Sequence, residues 1–204
     1  MDIILNSTGW IEVICGSMFS GKSEELIRRL HRCEIARQKI QVFKPTRDTR
    51  FSDTDIVSHS ALRIPSIPVS DSQELFNGVL PDTQVIGIDE AQFFDNGLIE
   101  VCESLANQGK RIIVAGLDQD YRGVPFEPIP QLMAIAEFVT KTHAICVICG
   151  NPANRSYRKV ASEERILLGA EDNYEPRCRK CCLLEEVKKE AEMPELFDED
   201  KPVS

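Results

Sequence analysis

Residues 16–23 read Gly-Ser-Met-Phe-Ser-Gly-Lys-Ser, which fits G-x-x-x-x-G-K-[ST] at every fixed position. Glycines at 16 and 21 let the backbone N–H groups of Ser17, Met18, Phe19 and Ser20 converge on phosphate oxygens. A helix that starts near Lys22 turns its positive dipole end to the same place. Lys22 would then reach the β- and γ-phosphates of ATP, and Ser23 would offer its hydroxyl to Mg²⁺. A second chemical pair follows an apolar run: Val85-Ile86-Gly87-Ile88 ends in Asp89-Glu90. An acid at the carboxyl end of a parallel strand faces the ligand crevice. Asp89 is assigned to Mg²⁺ and the nucleotide, which leaves Glu90 free to take a proton from an attacking hydroxyl. The plainer reading is that both acids cap the next helix; the phosphate loop upstream favours the metal-and-base reading.

Four of the eight cysteines form two C-x-x-C pairs, Cys146/Cys149 and Cys178/Cys181, with 28 residues between them. Such a pair curls the backbone so that both thiolates meet one ion, and two pairs complete a tetrahedral Zn²⁺ shell. Four protein ligands leave no open position, so the spacing points to a structural zinc that pins both ends of a long loop. Free thiols and a redox dithiol are the other readings. Cys182 adjoins Cys181 and competes with it as fourth ligand.

These groups need a scaffold. Residues 10–15 form a short apolar strand, and a helix follows through about Arg37, with Leu26, Ile27, Leu30 and Cys33 on one face. Further strands are expected at 39–44, 84–88, 111–116 and 138–146, and helices at 98–108 and 131–137. Gly109 suits the C-cap of the helix at 98–108. Residues 45–66 are polar and turn-rich, and read as a long loop. Continuous apolar strands separated by helices predict a parallel sheet covered on both faces, hence an α/β fold. The expected division is a nucleotide-binding α/β domain at 1–145, a metal-stapled subdomain at 146–183 and a charged, fraying tail at 184–204.

The formal net charge of -9 repels a phosphate backbone and disfavours nucleic acid as a partner. No apolar run approaches the roughly 18 residues that span a membrane. The start of the chain lacks a basic region followed by an apolar core, so no secretory leader is expected and a cytoplasmic location follows.

In combination these features resemble the thymidine kinase family of the zinc-containing type, from about Ile11 to Cys181. The resemblance is carried by Met18–Leu26, by Lys44-Pro45 with Asp48-Thr49-Arg50, and by Ile88-Asp89-Glu90-Ala91-Gln92-Phe93-Phe94. Gly116-Leu117-Asp118 with Tyr121 and Pro125-Phe126 adds to it, as do Gly169, Tyr174 and Cys178-Arg179-x-Cys181. It implies a RecA-like core, with the loop between the cysteine pairs closing over a nucleoside as a lasso. It implies transfer of the γ-phosphoryl group of ATP to the 5′-hydroxyl of thymidine, and of deoxyuridine as well.

The resemblance also implies roles for single residues. Glu90 would be the general base. Arg50 would steady charge on the phosphates, and Asp48 would assist with Mg²⁺ or the phosphates. Met18, Phe93, Tyr121 and Phe126 would line the thymine pocket. Backbone near Ser156 and Leu167 would hold the base, and Tyr174 would meet the nucleoside. Thymidine triphosphate would inhibit, and the chain would assemble as a homotetramer. Three departures stand out: Tyr121 where phenylalanine is common, Gly169-Ala170 for Gly-Gly, and the Cys181-Cys182 doublet. The competing functions are a kinase of another nucleoside or small alcohol, a zinc-ribbon nucleic-acid motor, and a non-catalytic nucleotide sensor. The motor reading lacks the basic and aromatic interleaving of a strand-binding surface.

Overall fold

A computed structural model describes residues 8–46, 55–57, 63–160, 164–165 and 172–192. The chain runs β1 (Trp10–Gly16), α1 (Lys22–Ile35), β2 (Ile40–Pro45), β3 (Asp55–Val57), β4 (Arg63–Pro65), β5 (Ile67–Val69) and α2 (Ser72–Gly78). It continues through β6 (Val85–Ile88), a 3₁₀ turn at Ala91–Phe93, α3 (Gly97–Asn107), β7 (Arg111–Leu117), α4 (Ile129–Ile135) and β8 (Phe138–Thr142). The last part holds β9 (Ala144–Ile145), β10 (Pro152–Ala153), β11 (Arg155–Arg158), β12 (Tyr174–Arg177) and α5 (Arg179–Glu192).

Six strands form one sheet in the order β5-β2-β6-β7-β1-β8, and every pairing is parallel. The sheet is buried on both faces, which is why its inner strands are apolar at successive positions. On β1, Ile11, Val13 and Cys15 pack with α3 and α4 residues such as Leu98, Cys102 and Leu132. Ile14, on the other face, packs with Leu26, Ile27, Leu30 and Cys33 of α1. On β7, Ile112 and Val114 join the first group, while Ile113 and Ala115 join the second. Parallel register brings the carboxyl ends to one edge, pairing Gly16 with both Leu117 and Thr142 and Phe43 with Ile88. The phosphate-loop sequence and the two acids therefore leave the sheet side by side, with β7 between their strands.

One polar cluster interrupts this core. Glu12, buried in mid-β1, pairs with Arg29 at 2.8 Å and Arg111 at 2.6 Å and accepts from the Trp10 indole. Burial opposes its ionisation, but the Arg111, Trp10 and Arg29 bonds hold the carboxyl below its ordinary range.

Several expectations need correction. The stretch 45–66 is not a plain loop: β3 and β4 pair antiparallel within it, Ile56 opposite Ile64. Ile64 is 1% exposed and packs with α1, so a single apolar anchor organises a polar segment. The strand expected over 138–146 stops at Thr142, and β9 turns away to pair with β10. Helix α4 begins two residues earlier than expected, with Pro130 in its first turn, where a missing N–H costs nothing. The segment from Glu185 to Glu192 is helical, an extension of α5, because its Glu, Lys and Ala residues are strong helix formers.

Beyond β8, the hairpin β9–β10 and the antiparallel pair β11–β12 hold the cysteines. Ala144, Cys146, Ala153, Cys178 and Cys181 form their own small core, and Phe19 of the phosphate loop packs on it. No helix among the described residues is long and apolar enough to cross a membrane.

Candidate active site

The loop after β1 is built on residues that only some backbones tolerate. Gly16 has φ +148°, and a Cβ there would lie 2.4 Å from the Thr142 carbonyl oxygen. Gly21 caps α1 with φ +80°, and Phe19 between them is also left-handed, at φ +64°. Lys22 is buried and its Nζ donates to the Ser17 carbonyl at 2.8 Å. The cysteine-bearing part braces the same loop. Met18 N–H donates to Ser156 Oγ at 3.0 Å, and Ser17 Oγ donates to the Ala153 carbonyl at 3.3 Å.

Ser23 Oγ donates to Asp89 Oδ2 at 2.9 Å. The two residues expected to share a metal are thus adjacent although 66 positions separate them. Asp89 is buried, and its backbone N–H bonds the Phe43 carbonyl at the end of β2.

Glu90 follows with φ +49° and ψ +41°, a left-handed conformation that is uncommon for a residue with a side chain. Observed strain of this kind clusters where geometry serves chemistry. Gln92 Nε2 donates to Glu90 Oε2, and Gln92 Oε1 accepts from Leu117 N–H at 2.9 Å. The buried glutamine therefore fixes the carboxylate to the end of β7. Gly116 leaves room for it: a Cβ there would lie 3.0 Å from Gln92 Oε1 and 2.5 Å from Ile129.

Phe93 and Phe126 meet edge to face, with centroids 6.4 Å apart and planes at 86°. Between β7 and Phe126 the chain makes a tight turn around Asp120, whose Oδ1 accepts from Arg122 N–H and Val124 N–H, both at 3.0 Å. Tyr121 stands on this turn, and its hydroxyl accepts from Arg122 Nε at 2.8 Å. The departure from phenylalanine therefore brings its own partner. Asp118, at the foot of the turn, is buried beside Lys141 of β8 at 2.5 Å. Tyr174 on β12 is buried and accepts from Arg158.

The structure thus gathers Gly16 to Ser23, Asp89 and Glu90 at the carboxyl edge of the sheet. It joins Met18 to Ser156 and brings Phe93 to Phe126, with Tyr121 and Tyr174 linked through Arg158. Asp48, Arg50 and Leu167 lie outside the described residues. Sequence reasoning assigned no role to Gln92, Asp118, Lys141, Arg158 or Arg165. Gln92 had a signal, since a buried amide two residues past a candidate base is placed to orient it.

Cys146, Cys149, Cys178 and Cys181 bring their sulfur atoms within 4.8 Å of one another, and Cys149 Sγ lies 3.6 Å from Cys178 Sγ. Zn–S bonds of about 2.3 Å set the edge of a tetrahedral sulfur shell near 3.8 Å, so these four residues fit one ion. Cys182 is not among them; its backbone N–H continues the first turn of α5. Burial opposes ionisation of Cys146, but backbone N–H groups of Cys178, Ile148 and Cys149 hold its thiol down at about 6. Bonding to Cys149, with burial, pushes Cys181 up to about 12. Hydrogen bonds from the Asn151 backbone N–H and side chain lower Cys149 as well.

A wholly parallel sheet with a glycine-rich loop, a lysine and a Ser–Asp pair at its carboxyl edge defines an α/β protein of the phosphate-loop nucleotide-binding class. Comparison with known proteins gives the family. The thymidine kinase family matches residues 9–182. A thymidine kinase of Rhodothermus sp. (strain ITI 518) is 61% identical over 176 residues, covering 86% of this chain and 82% of that relative. The chain belongs to the thymidine kinase family.

Proposed function

We propose that the protein transfers the γ-phosphoryl group of ATP to the 5′-hydroxyl of thymidine, and of deoxyuridine, giving the 5′-monophosphate in nucleotide salvage. The observation that carries this reading is the placement of Glu90. Its carboxylate is tethered by Gln92, one position beyond the Asp89 that bonds Ser23 of the phosphate loop. The edge-to-face pair of Phe93 and Phe126 begins three residues further on. A phosphate grip, a base and an aromatic wall in that order suit an alcohol carried on a planar ring.

In this reading the loop amides from Ser17 to Gly21 hold the phosphates of ATP, and Lys22 leaves the Ser17 carbonyl to meet the β- and γ-oxygens. Ser23 and Asp89, with Asp48, are the residues that would hold Mg²⁺. When bound, Mg²⁺ neutralises charge shared by the two terminal phosphates. Glu90 accepts the proton of the 5′-hydroxyl as the new O–P bond forms. Arg50 steadies charge on the transferring group. Met18, Phe93, Tyr121 and Phe126 hold the thymine ring, with Ser156, Leu167 and Tyr174 on the lasso side. Alignment of the hydroxyl with the phosphoryl group supplies most of the acceleration.

The four thiols hold a structural Zn²⁺ in the same proposal, with no open position for chemistry. Inhibition by thymidine triphosphate, a homotetrameric assembly and a cytoplasmic location complete it, with no nucleic-acid or membrane partner. The fit of the four thiols to one metal supports a reducing compartment. The test is Glu90→Gln, which keeps shape and removes basicity. Its kcat is expected to fall at least about 10²-fold while ATP still binds. Near-normal turnover by that variant would remove Glu90 from the mechanism.

A further inference from the structure

Arg158 ends β11 with 6% of its surface exposed. The antiparallel register places it opposite Tyr174. Its Nη2 donates to the Tyr174 hydroxyl at 2.6 Å and to the Arg165 carbonyl at 3.1 Å, and its Nη1 donates to the Glu164 carbonyl. Its guanidinium carbon lies 3.6 Å from the centroid of the Tyr121 ring and 5.2 Å from that of Tyr174. The turn after β7, the segment at 164–165 and β12 thus meet on one planar cation. The contact at 3.6 Å is a stack, and a desolvated cation on an aromatic face is the strong form of this interaction. A lysine cannot replace it, because a point charge cannot stack and fork at once.

A second arginine grips the same wall from the lasso side. Arg165 Nε pairs with Asp120 Oδ2 at 3.0 Å, and its Nη2 donates to the Pro125 carbonyl at 3.0 Å. Its guanidinium carbon sits 4.5 Å from the Phe126 ring centroid. The Asp120 turn is already tied by its own carboxylate, so the two arginines hold a preformed element.

We propose that Arg158 is a positioning residue for nucleoside recognition: it fixes the Tyr121 and Tyr174 rings before substrate arrives, with Arg165 as the weaker second hold. The proposal rests on the reading that these two rings face the nucleoside. The Arg158 guanidinium meets the Tyr121 and Tyr174 rings and the Glu164 and Arg165 carbonyls, so its loss is expected to act on nucleoside affinity rather than on phosphate handling. A pocket held in its binding shape spares the ordering cost at the moment of binding.

The test compares Arg158→Met and Arg158→Lys with the unaltered enzyme. KM for thymidine, KM for ATP and kcat are measured, together with nitration of Tyr121 and Tyr174 in the ligand-free protein, located by mass spectrometry. Both variants are expected to raise the thymidine KM roughly tenfold or more, as loss of a desolvated cation–π contact and a charged hydrogen bond would do. The ATP KM stays unchanged, and both tyrosines nitrate faster. Should Arg158→Met fail to fold, Arg165→Met loosens the same wall from its second hold and is expected to give the same split with a smaller rise; an unchanged thymidine KM in Arg165→Met and Arg158→Lys overturns the proposal. An unchanged thymidine KM, or an equal rise in both KM values, overturns the proposal. If the unaltered enzyme transfers nothing to thymidine while the variants still unmask both tyrosines, the kinase reading fails and the arginine clamp stands.

Discussion

Gln92→Met separates a residue that aims the base from one that only fills space. Gln92 is 3% exposed and makes two bonds that methionine cannot: one to the Glu90 carboxylate and one from Leu117 N–H at 2.9 Å. A hydrogen bond to a charged group is worth about 1.5–3 kcal/mol. At 1.36 kcal/mol per decade of rate, releasing Glu90 lowers kcat by roughly 10- to 100-fold. The stranded Leu117 N–H costs about 1–3 kcal/mol of folding stability. For a chain of this size that is a fall in Tm of roughly 2–12 °C. Gln92→Glu keeps an acceptor for Leu117 but sets a second buried carboxylate against Glu90, so neither stability nor kcat recovers. The assay is steady-state transfer at saturating ATP and thymidine, with a melt on each sample. If Gln92→Met melts early yet keeps kcat within about threefold, Gln92 is structural and the orientation argument is wrong.

Three further outcomes follow from the same structure. Cys149→Ser removes one corner of the thiol cluster, so bound zinc measured by elemental analysis drops to background and Tm falls; zinc retained with an unchanged melt would refute the staple. Arg28 and Arg29 hold the Glu25 carboxyl down at about 2, and Glu12 is also lowered, against an unfolded value of about 4.3. Because both folded values lie below the unfolded one, these bonds stabilise fully above about pH 5, and the contribution is lost as pH falls towards 2. Arg29→Met, which removes a partner from both acids, flattens the fall in Tm over that window; an unchanged slope would refute the assignment. Lys22→Met removes the cation aimed at the phosphates, so kcat falls at least about 10²-fold with the fold intact. Unimpaired transfer would contradict its role.

The parts of the molecule legible in the sequence are those where physics allows few residue types. Gly16 and Gly21 had to be glycine because of their backbone and close neighbours, so the phosphate loop could be read directly. Strands buried on both faces had to be apolar, so β1, β6 and β7 were readable. Cys146, Cys149, Cys178 and Cys181 were readable by spacing, but only folding chose Cys181 over Cys182, by pointing one sulfur into the cluster. Short elements were missed where tertiary contacts decide. β4 depends on Ile64 reaching α1, and β5 is an edge strand of three residues. Helix α2 did carry a signal: Asp71 caps Glu74 N–H, and Glu74 returns a bond to Ser70 N–H. The Arg158 contacts were invisible because they arise from strand register across sixteen positions, which no local pattern encodes.

The identity of the phosphoryl acceptor is the decisive observable. Labelled ATP is incubated with the enzyme and a panel of nucleosides, with and without Mg²⁺. Mg²⁺-dependent label is expected on thymidine and deoxyuridine, at the 5′ position. Label on no nucleoside, with ATP hydrolysis stimulated by DNA instead, would contradict nucleoside phosphorylation.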